Sequence, residues 1–548
     1  MTTSRKPVKI TYRKGVIIGA AAAEQDNEFL SDCFVDNGTA GILSDTTRNE
    51  SIILGRVGAG KSALIAHLKD NERCLRIDPH EFSMNFIENS SAIQLLNELG
   101  VSLDVLFQAL WKHVLTVEVL RLRYKDNNLR DSLEKFFSPR DKKDSEAEAV
   151  NYFQEFGGSE FWNTTELRIK EIVSRTEKSV AAEMGAESSS VLAKIRGGKA
   201  VSEQEKREYQ EKCQRAVSSV QMLKLHKVVD ALQDVLEDKQ KQYFIVIDDL
   251  DTNWASSEIR YRLIRALIEA IKKFRKIRNL KIVIAMRVDL LDTVFRETRD
   301  SGFQEEKFEA FFLRLRWEPS DLIDIMDRRI RKVLKDQYTK NDVGFYDVFQ
   351  EKIGSEPTTK YITDRIAGRP RDAILFLNFI FQEAEGKTQI TKRVIQQAEV
   401  LYSSSRATSL CQEWHDRFPN LHKYLNLLKG LNSRFLVSEF PLASLNDLLL
   451  DCVGFTSPDE ISLLALEIAE RGKGFENHAE ALSFLNNVFS ALFVVGAIGA
   501  KFEATGRPEW ASNAAATPYH REFELNTQIY IHPMLYRHYG VRPIGTPK

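Results

Sequence analysis

The stretch 51–64, SIILGRVGAGKSAL, constrains this chain more than any other. An apolar run, Ile52-Ile53-Leu54, leads directly into Gly55-Arg56-Val57-Gly58-Ala59-Gly60-Lys61-Ser62, and Ala63-Leu64-Ile65-Ala66-His67-Leu68 follows. This is the GxxxxGK[ST] spacing between a predicted strand and a predicted helix, the context in which such a loop wraps phosphate. Glycines are needed because successive backbone N–H groups must turn inward around phosphate oxygens, and a Cβ would block the approach. Lys61 supplies a point charge to β/γ-phosphates and Ser62 a hydroxyl to Mg²⁺. Gly55, Arg56, Gly58, Ala59, Gly60, Lys61, Ser62 and Ala63 are therefore the candidate nucleotide-binding residues. The competing reading, an ordinary glycine-rich strand-to-helix turn, requires neither Lys61 nor Ser62.

A second run, YFIVIDDLD at 243–251, is continuously apolar until it ends in acids. That pattern predicts a buried parallel strand. Its terminal carboxylates fall where open α/β sheets place their ligands, outside the carboxyl ends of the strands. Asp248 is placed to hold Mg²⁺ and Asp249 to orient or deprotonate an attacking water. Alone, the pair would read as helix N-cap acids after a core strand. Together with the glycine loop it reads as catalytic.

Composition narrows the class further. A chain of 548 residues with a formal charge of −1 holds several domains and is no globally basic nucleic-acid binder. Its five cysteines are scattered with no CxxC pair, which fits reduced thiols in a cytoplasm rather than a disulfide frame or zinc site. No apolar run is long enough to span a bilayer, so no membrane association is expected. Basic residues ahead of GVIIGAAAA at 15–23 mimic a signal peptide, but the run is short and rich in Gly and Ala. It predicts instead a helix over 20–33.

The acidic strand follows the glycine loop only after residues 63–242, whereas a parallel crossover needs about a dozen. A further strand is predicted at 73–78 and a loop at 79–90, so a helical insertion of about 91–240 remains. Within it, Leu103, Leu106, Phe107, Leu110, Trp111, Val114, Leu115, Val117 and Leu122 predict one long helix with a wide apolar face. Residues 132–148 are highly charged, and 184–207 reads as mobile or a loop. The insertion is either a passive elaboration or an arm for a partner. After Asp251 the alternation resumes: a helix over 257–276, a strand over 281–286 ending at Arg287, a strand over 310–317 and a helix over 319–334. Arg287 can reach a γ-phosphate or the attacking water, or else pair with Asp289 or Asp292. Next, IAGRPRD at 366–372 opens a helix with Pro370 in its first turn and Asp372 at its positive end. Arg371 either senses the γ-phosphate from such a lid or caps a neighbouring helix.

The order of glycine loop, Asp248-Asp249 strand, Arg287-ended strand and Gly368-Arg-Pro-Arg371 lid resembles the AAA+-like signal-transduction ATPases grouped with STAND, KAP and origin-recognition-type proteins, over about 20–400. The resemblance implies an α/β three-layer P-loop NTPase domain with helical insertion, helical lid and C-terminal winged-helix-like domain. It implies ATP and Mg²⁺ as ligands, with Lys61 and Ser62 on phosphate and metal, Asp248 on the metal and Asp249 on the water. Arg287 would act as sensor 1 and Arg371 as sensor 2. A trans-acting arginine is implied just before the fifth strand, where Arg296 and Arg299 stand, each open also to a solvated ion pair with Glu297 or Asp300. Two departures matter: the membrane helices usual in KAP relatives are missing, and Asp248-Asp249 replaces the usual Asp-Glu, which favours a slow switch.

The expected division is an N-terminal helical segment 1–44, an ATPase core 45–335, a lid 336–400 and a C-terminal domain 401–548. In the last, helices over 420–431, 461–468 and 479–493 precede strands over 494–502 and 523–531, separated by a loop at 504–518. This order resembles a winged helix, and its balanced charge favours protein contact over DNA. His532 and His538 lack partners at metal-ligand spacing. The resulting expectation is a cytoplasmic, homo-oligomeric ATPase switch with a protein effector or sensor partner, in prokaryotic conflict or antiviral defence. An ATP-gated DNA-binding protein of origin-recognition type and a nucleotide-holding scaffold without turnover are the alternatives.

Overall fold

Five short runs become five parallel strands: β1 Ile52–Leu54, β2 Cys74–Ile77, β3 Tyr243–Ile247, β4 Leu280–Met286 and β5 Phe312–Arg314. They pair in the order β2-β3-β4-β1-β5, every pairing parallel. The computed structural model describes residues 10–69, 73–81, 90–124, 165–184, 203–219, 229–230, 232–233, 236, 241–252, 254–299, 305–337, 342–470, 472, 474–503, 505–511 and 522–544. The chain divides into two compact units. A sheet unit comprises Gly38–Arg56 and Lys61–Leu315; a helical unit comprises Met1–Asn37, Val57–Gly60 and Arg316–Lys548.

In the sheet unit β3 and β4 are buried along their whole length, which is why β3, and β4 but for Lys281, read as continuous apolar runs and not as alternating ones. The helices Asp104–Tyr124 and Ser257–Phe274 pack together beside the sheet, and the Trp111 indole donates to Leu263 O at 2.8 Å. Trp111, Phe107, Val114 and Leu263 are fully buried. The wide apolar face foreseen over 103–122 therefore belongs to this core. The resulting architecture is mixed α/β around a parallel central sheet, compatible with a P-loop NTPase-like fold.

The helical unit is built on the helices Pro319–Gln337, Pro370–Glu383, Lys392–Glu413 and His478–Val494. A small hairpin pairs β6 (Lys352–Ile353) with β7 (Glu356–Pro357). Three further strands, β8 (Arg434–Leu436), β9 (Ile498–Lys501) and β10 (Gln528–Ile531), form an antiparallel sheet with β10 central. Phe435, Phe440, Phe489 and Phe523 interlock behind it, with ring centroids 5.3–6.3 Å apart.

Three expectations are corrected. The helix expected over 20–33 is broken into a 3-10 turn Ala23–Gln25 and a short helix Asn27–Leu30. Asp26 is the cause: buried and paired with Arg329, it also accepts from Ala20 N at 2.7 Å, so its side chain competes with the helical backbone pattern. Residues 203–207, expected in a loop, begin the helix Glu203–Ser219, whose Glu, Gln, Lys and Arg are strong helix formers and whose first turn carries acids. And β8 was unforeseen, being only three residues long. Residues 132–148, 185–202 and 512–518 lie outside the described residues.

Lys281, inside β4, is 3% exposed and donates to Ile42 O and Asp45 O, both at 2.8 Å. Those carbonyls end the helix Thr39–Ser44, so the ammonium serves as its C-terminal cap. Burial pushes the Lys281 pKa down to about 8. The folded state thus releases a proton near pH 8 that the unfolded chain keeps to about pH 10.4. Its charge burial opposes folding fully below pH 8, and the penalty disappears as pH rises toward 10.4. Urea midpoints should therefore rise with pH across that window more steeply in wild type than in Lys281→Met; equal slopes would refute the assignment.

Candidate functional site

Because β1, β3 and β4 are parallel, their carboxyl ends share one edge of the sheet, and the next residues are Gly55, Asp248 and Arg287. The connections after β1 and β4 leave toward opposite sides of the sheet, which is the switch point where open α/β sheets hold ligands. Gly55 N donates to Met286 O at 3.4 Å, tying the loop's start to β4. Lys61 opens the helix Lys61–Lys69, with Ser62 and Ala63 in its first turn. Its ammonium donates to Gly55 O at 3.0 Å and Arg56 O at 3.2 Å. Burial holds the Lys61 pKa below the ordinary lysine value, against the pull of Asp251 and Asp248.

Asp248 is 8% exposed, and its pKa is raised first by burial and then by the charge of Asp249, with Arg76 and Lys61 opposing. One of its oxygens accepts from Asp249 N at 3.0 Å. Asp249 has φ of +60°, a left-handed conformation that Asp tolerates better than most residues. This turn sends its half-exposed carboxylate to Arg76, which also lies 3.7 Å from Asp248. Arg76 was not foreseen: it is the polar interruption of β2, Cys-Leu-Arg-Ile, whose neighbour in the sheet is β3.

Arg287 meets Asp289 at 2.6 Å and lies 3.6 Å from Asp251, so the ion pair with Asp289 weighed from the sequence is formed. Asp251 is thereby a second unforeseen member of this edge. Arg296 pairs with Glu297 at 3.1 Å near the end of the helix Val288–Glu297, and Arg299 is exposed just past it. Asp300, the other partner weighed for these arginines, lies outside the described residues. Among the described residues no group of three or more His, Cys, Asp or Glu converges as a metal site. His532 instead caps the turn Pro533–Leu535, accepting from Met534 N at 3.2 Å.

Within the helical unit, the loop tip Val57–Gly60 meets the start of the helix Pro370–Glu383. Gly58 and Gly60 have φ of +77° and +98°. Arg371 N donates to Gly58 O at 3.2 Å, and the Arg371 guanidinium donates to Ala21 O at 3.3 Å. The Trp317 indole donates to Ala59 O at 2.8 Å, and Arg369 donates to Val57 O at 3.2 Å. Sequence reasoning named Arg371 but passed over Arg369 and Trp317, whose partners are backbone oxygens and leave no motif.

Residues 320–411 match the model of a family described as the FunZ-associated C-terminal helical domain. Across 526 residues, 94% of this chain, the sequence is 20% identical to the "Putative transposon gamma-delta 80.3 kDa protein" of Escherichia coli strain K12. The chain spans 66% of that relative's length. Among solved structures it aligns with a Walker-type ATPase of Pyrococcus abyssi, at 13% identity and a TM-score of 0.33, over 90% of this chain and 95% of that one.

A Cβ on Gly58 would stand 2.6 Å from the Arg371 Cβ, whereas one on Gly368, at φ +64°, would meet nothing within 4 Å. Gly368→Ala should cost only the left-handed backbone penalty, about 1–2 kcal/mol. Gly58→Ala should lower the unfolding midpoint further, since a helix backbone must shift. Equal midpoints for the two variants would contradict this packing.

Proposed function

We propose that this chain is an ATP-binding and hydrolysing molecular switch, the slow ATPase of a prokaryotic conflict or antiviral defence system. The observation that carries the reading is the shared sheet edge, where a half-buried Lys61 in a GxxxxGKS loop lies with the buried Asp248 and its neighbour Asp249. Positive φ at Gly58 and Gly60 supports the phosphate cradle, since those conformations free backbone N–H groups to face an anion. A Mg²⁺–ATP pair fits the donor set: Ser62 and Asp248 are hard oxygen ligands, and a cation would relieve the raised pKa of Asp248. Bound there, the metal would neutralise charge on the β/γ-phosphates.

The protein's own part is positional. Lys61, now satisfied by Gly55 O and Arg56 O, exchanges those carbonyls for phosphate oxygens. Asp249 orients the attacking water and accepts its proton, and Arg76 holds that carboxylate in place. Arg287 stabilises charge on the transferred phosphoryl group after loosening from Asp289. Arg371 reads the γ-phosphate as sensor 2.

We assign the AAA+-like STAND, KAP and origin-recognition grouping, with residues 1–44 as an N-terminal segment, 45–335 as the ATPase core with its insertion at 91–240, 336–400 as lid and 401–548 as a winged-helix-like readout domain. The antiparallel sheet β8-β10-β9 behind the helix His478–Val494 supports that last reading. The protein would work in the cytoplasm, as a homo-oligomer, with a protein effector or sensor as partner. No described helix is long and apolar enough to cross a membrane. A second reading, an ATP-gated DNA-binding protein, is favoured by the name of the transposon relative. DNA affinity falling steeply with salt would favour it over protein contact. A scaffold without turnover would be recognised by the absence of single-turnover hydrolysis.

Lys61→Ala should abolish ATP binding, measured by calorimetry. Asp249→Asn should keep binding and slow hydrolysis about a hundredfold or more, the scale of a positioned base. Unchanged turnover in Asp249→Asn would remove that residue from the chemistry.

If Arg296 or Arg299 acts on a neighbour's nucleotide, ATP should promote assembly and turnover per subunit should rise with protein concentration. Arg296→Ala or Arg299→Ala should lower turnover by about a thousandfold without weakening ATP binding. Flat specific activity from dilute to concentrated protein, with both variants active, would show that each subunit hydrolyses alone.

A further inference from the structure

Three successive carbonyls of the loop tip are engaged from outside: Val57 O by Arg369, Gly58 O by Arg371 N and Ala59 O by the Trp317 indole. In a trans peptide the C=O and the following N–H point in opposite directions. Fixing those carbonyls therefore fixes the N–H groups of Gly58, Ala59 and Gly60 on the other side of the same peptide planes. Those are the donors that a phosphate cradle needs turned inward. A donor on the carbonyl also polarises the peptide and strengthens its N–H as a hydrogen-bond donor.

One of the three donors is itself held from behind. Arg369 is 3% exposed and bridges Val57 O and Glu413, the latter at 3.0 Å. Glu413 also accepts from Arg406 at 3.3 Å, and Arg406, 2% exposed, lies 3.3 Å from the fully buried Asp372. The four side chains carry two positive and two negative charges, so the network is neutral and can stay out of water. Burial would raise the Glu413 pKa, but Arg369 and Arg406 outweigh it and hold it below the ordinary carboxylate value.

We propose that Trp317 and Arg369 are positioning residues for phosphate: they orient the N–H groups of Gly58, Ala59 and Gly60 by holding the opposing carbonyls, and the Glu413–Arg406–Asp372 chain fixes the Arg369 guanidinium. This rests on the nucleotide-binding reading above. A lysine cannot replace Arg369, because both contacts are made by Nη1, one bond farther from the backbone than a lysine ammonium reaches. Phenylalanine can fill the Trp317 site but offers no N–H.

The test uses the full chain and a fluorescent ATP analogue with Mg²⁺. Trp317→Phe should weaken binding about fivefold, the equivalent of one net hydrogen bond. Arg369→Lys should weaken it about tenfold or more, as expected for a charge-assisted bond. Phe489→Leu, which loosens the aromatic core of the same unit without touching the loop, should leave affinity unchanged while lowering the unfolding midpoint. Wild-type affinity in both Trp317→Phe and Arg369→Lys would overturn the proposal, as would an equal loss in Phe489→Leu, which would reduce the effect to stability. A wild-type chain that binds no nucleotide would instead overturn the functional reading on which the proposal stands.

Discussion

An ammonium withdrawn from water must be surrounded by oxygen, and this requirement organises the sheet edge. Lys61 meets it with the carbonyls of Gly55 and Arg56 and with the field of Asp248 and Asp251. Those oxygens come from segments far apart in sequence, brought level because β1 and β3 run parallel on either side of β4. A parallel sheet places every carboxyl end on one side, so acids that end a strand and glycines that end another must face the same volume. The charge pattern follows: Lys61, Arg76 and Arg287 stand against Asp248, Asp249, Asp251 and Asp289, each cation within reach of at least one carboxylate. A triphosphate with its metal would enter as one more anion and one more cation in a set that already alternates.

What could be read from the residues is what rests on period and punctuation. β1 and β3 are apolar throughout, and β4 is so but for Lys281, because both faces are covered. The helix Pro370–Glu383 was legible because Pro370 opens it and apolar residues recur at helical spacing. The helix Asp104–Tyr124 was legible too, but its place was not. Nothing in an amphipathic pattern says which core it enters, and only the structure puts Trp111 against Leu263.

The parts that escaped the sequence rest on long-range polar contacts. Arg76 interrupts an apolar strand, which by itself reads as an edge position, yet it is the partner of Asp249. Asp26 splits a run of alanines that favours helix, because pairing with the buried Arg329 outweighs propensity worth a few tenths of a kcal/mol per residue. Arg369 was read past in favour of Arg371, since both stand in the same GRPR string and only depth separates them. Burial is not written in a four-residue motif.

That difference in depth carries the last step. Arg371 keeps its guanidinium on a backbone carbonyl, that of Ala21, a contact it can give up at small cost. Arg369 is locked between Val57 and Glu413 inside a neutral four-charge network, and removing one partner from such a set leaves a buried charge unpaired, a loss of about 3–5 kcal/mol. Of two arginines two residues apart, one is therefore held firmly and the other lightly. On the reading proposed above, a switch would use both kinds: a fixed group to hold the cradle in register and a lightly held group whose position depends on what the cradle contains. The motif supplies the two side chains, and the depth at which the helix start is buried decides how firmly each is held.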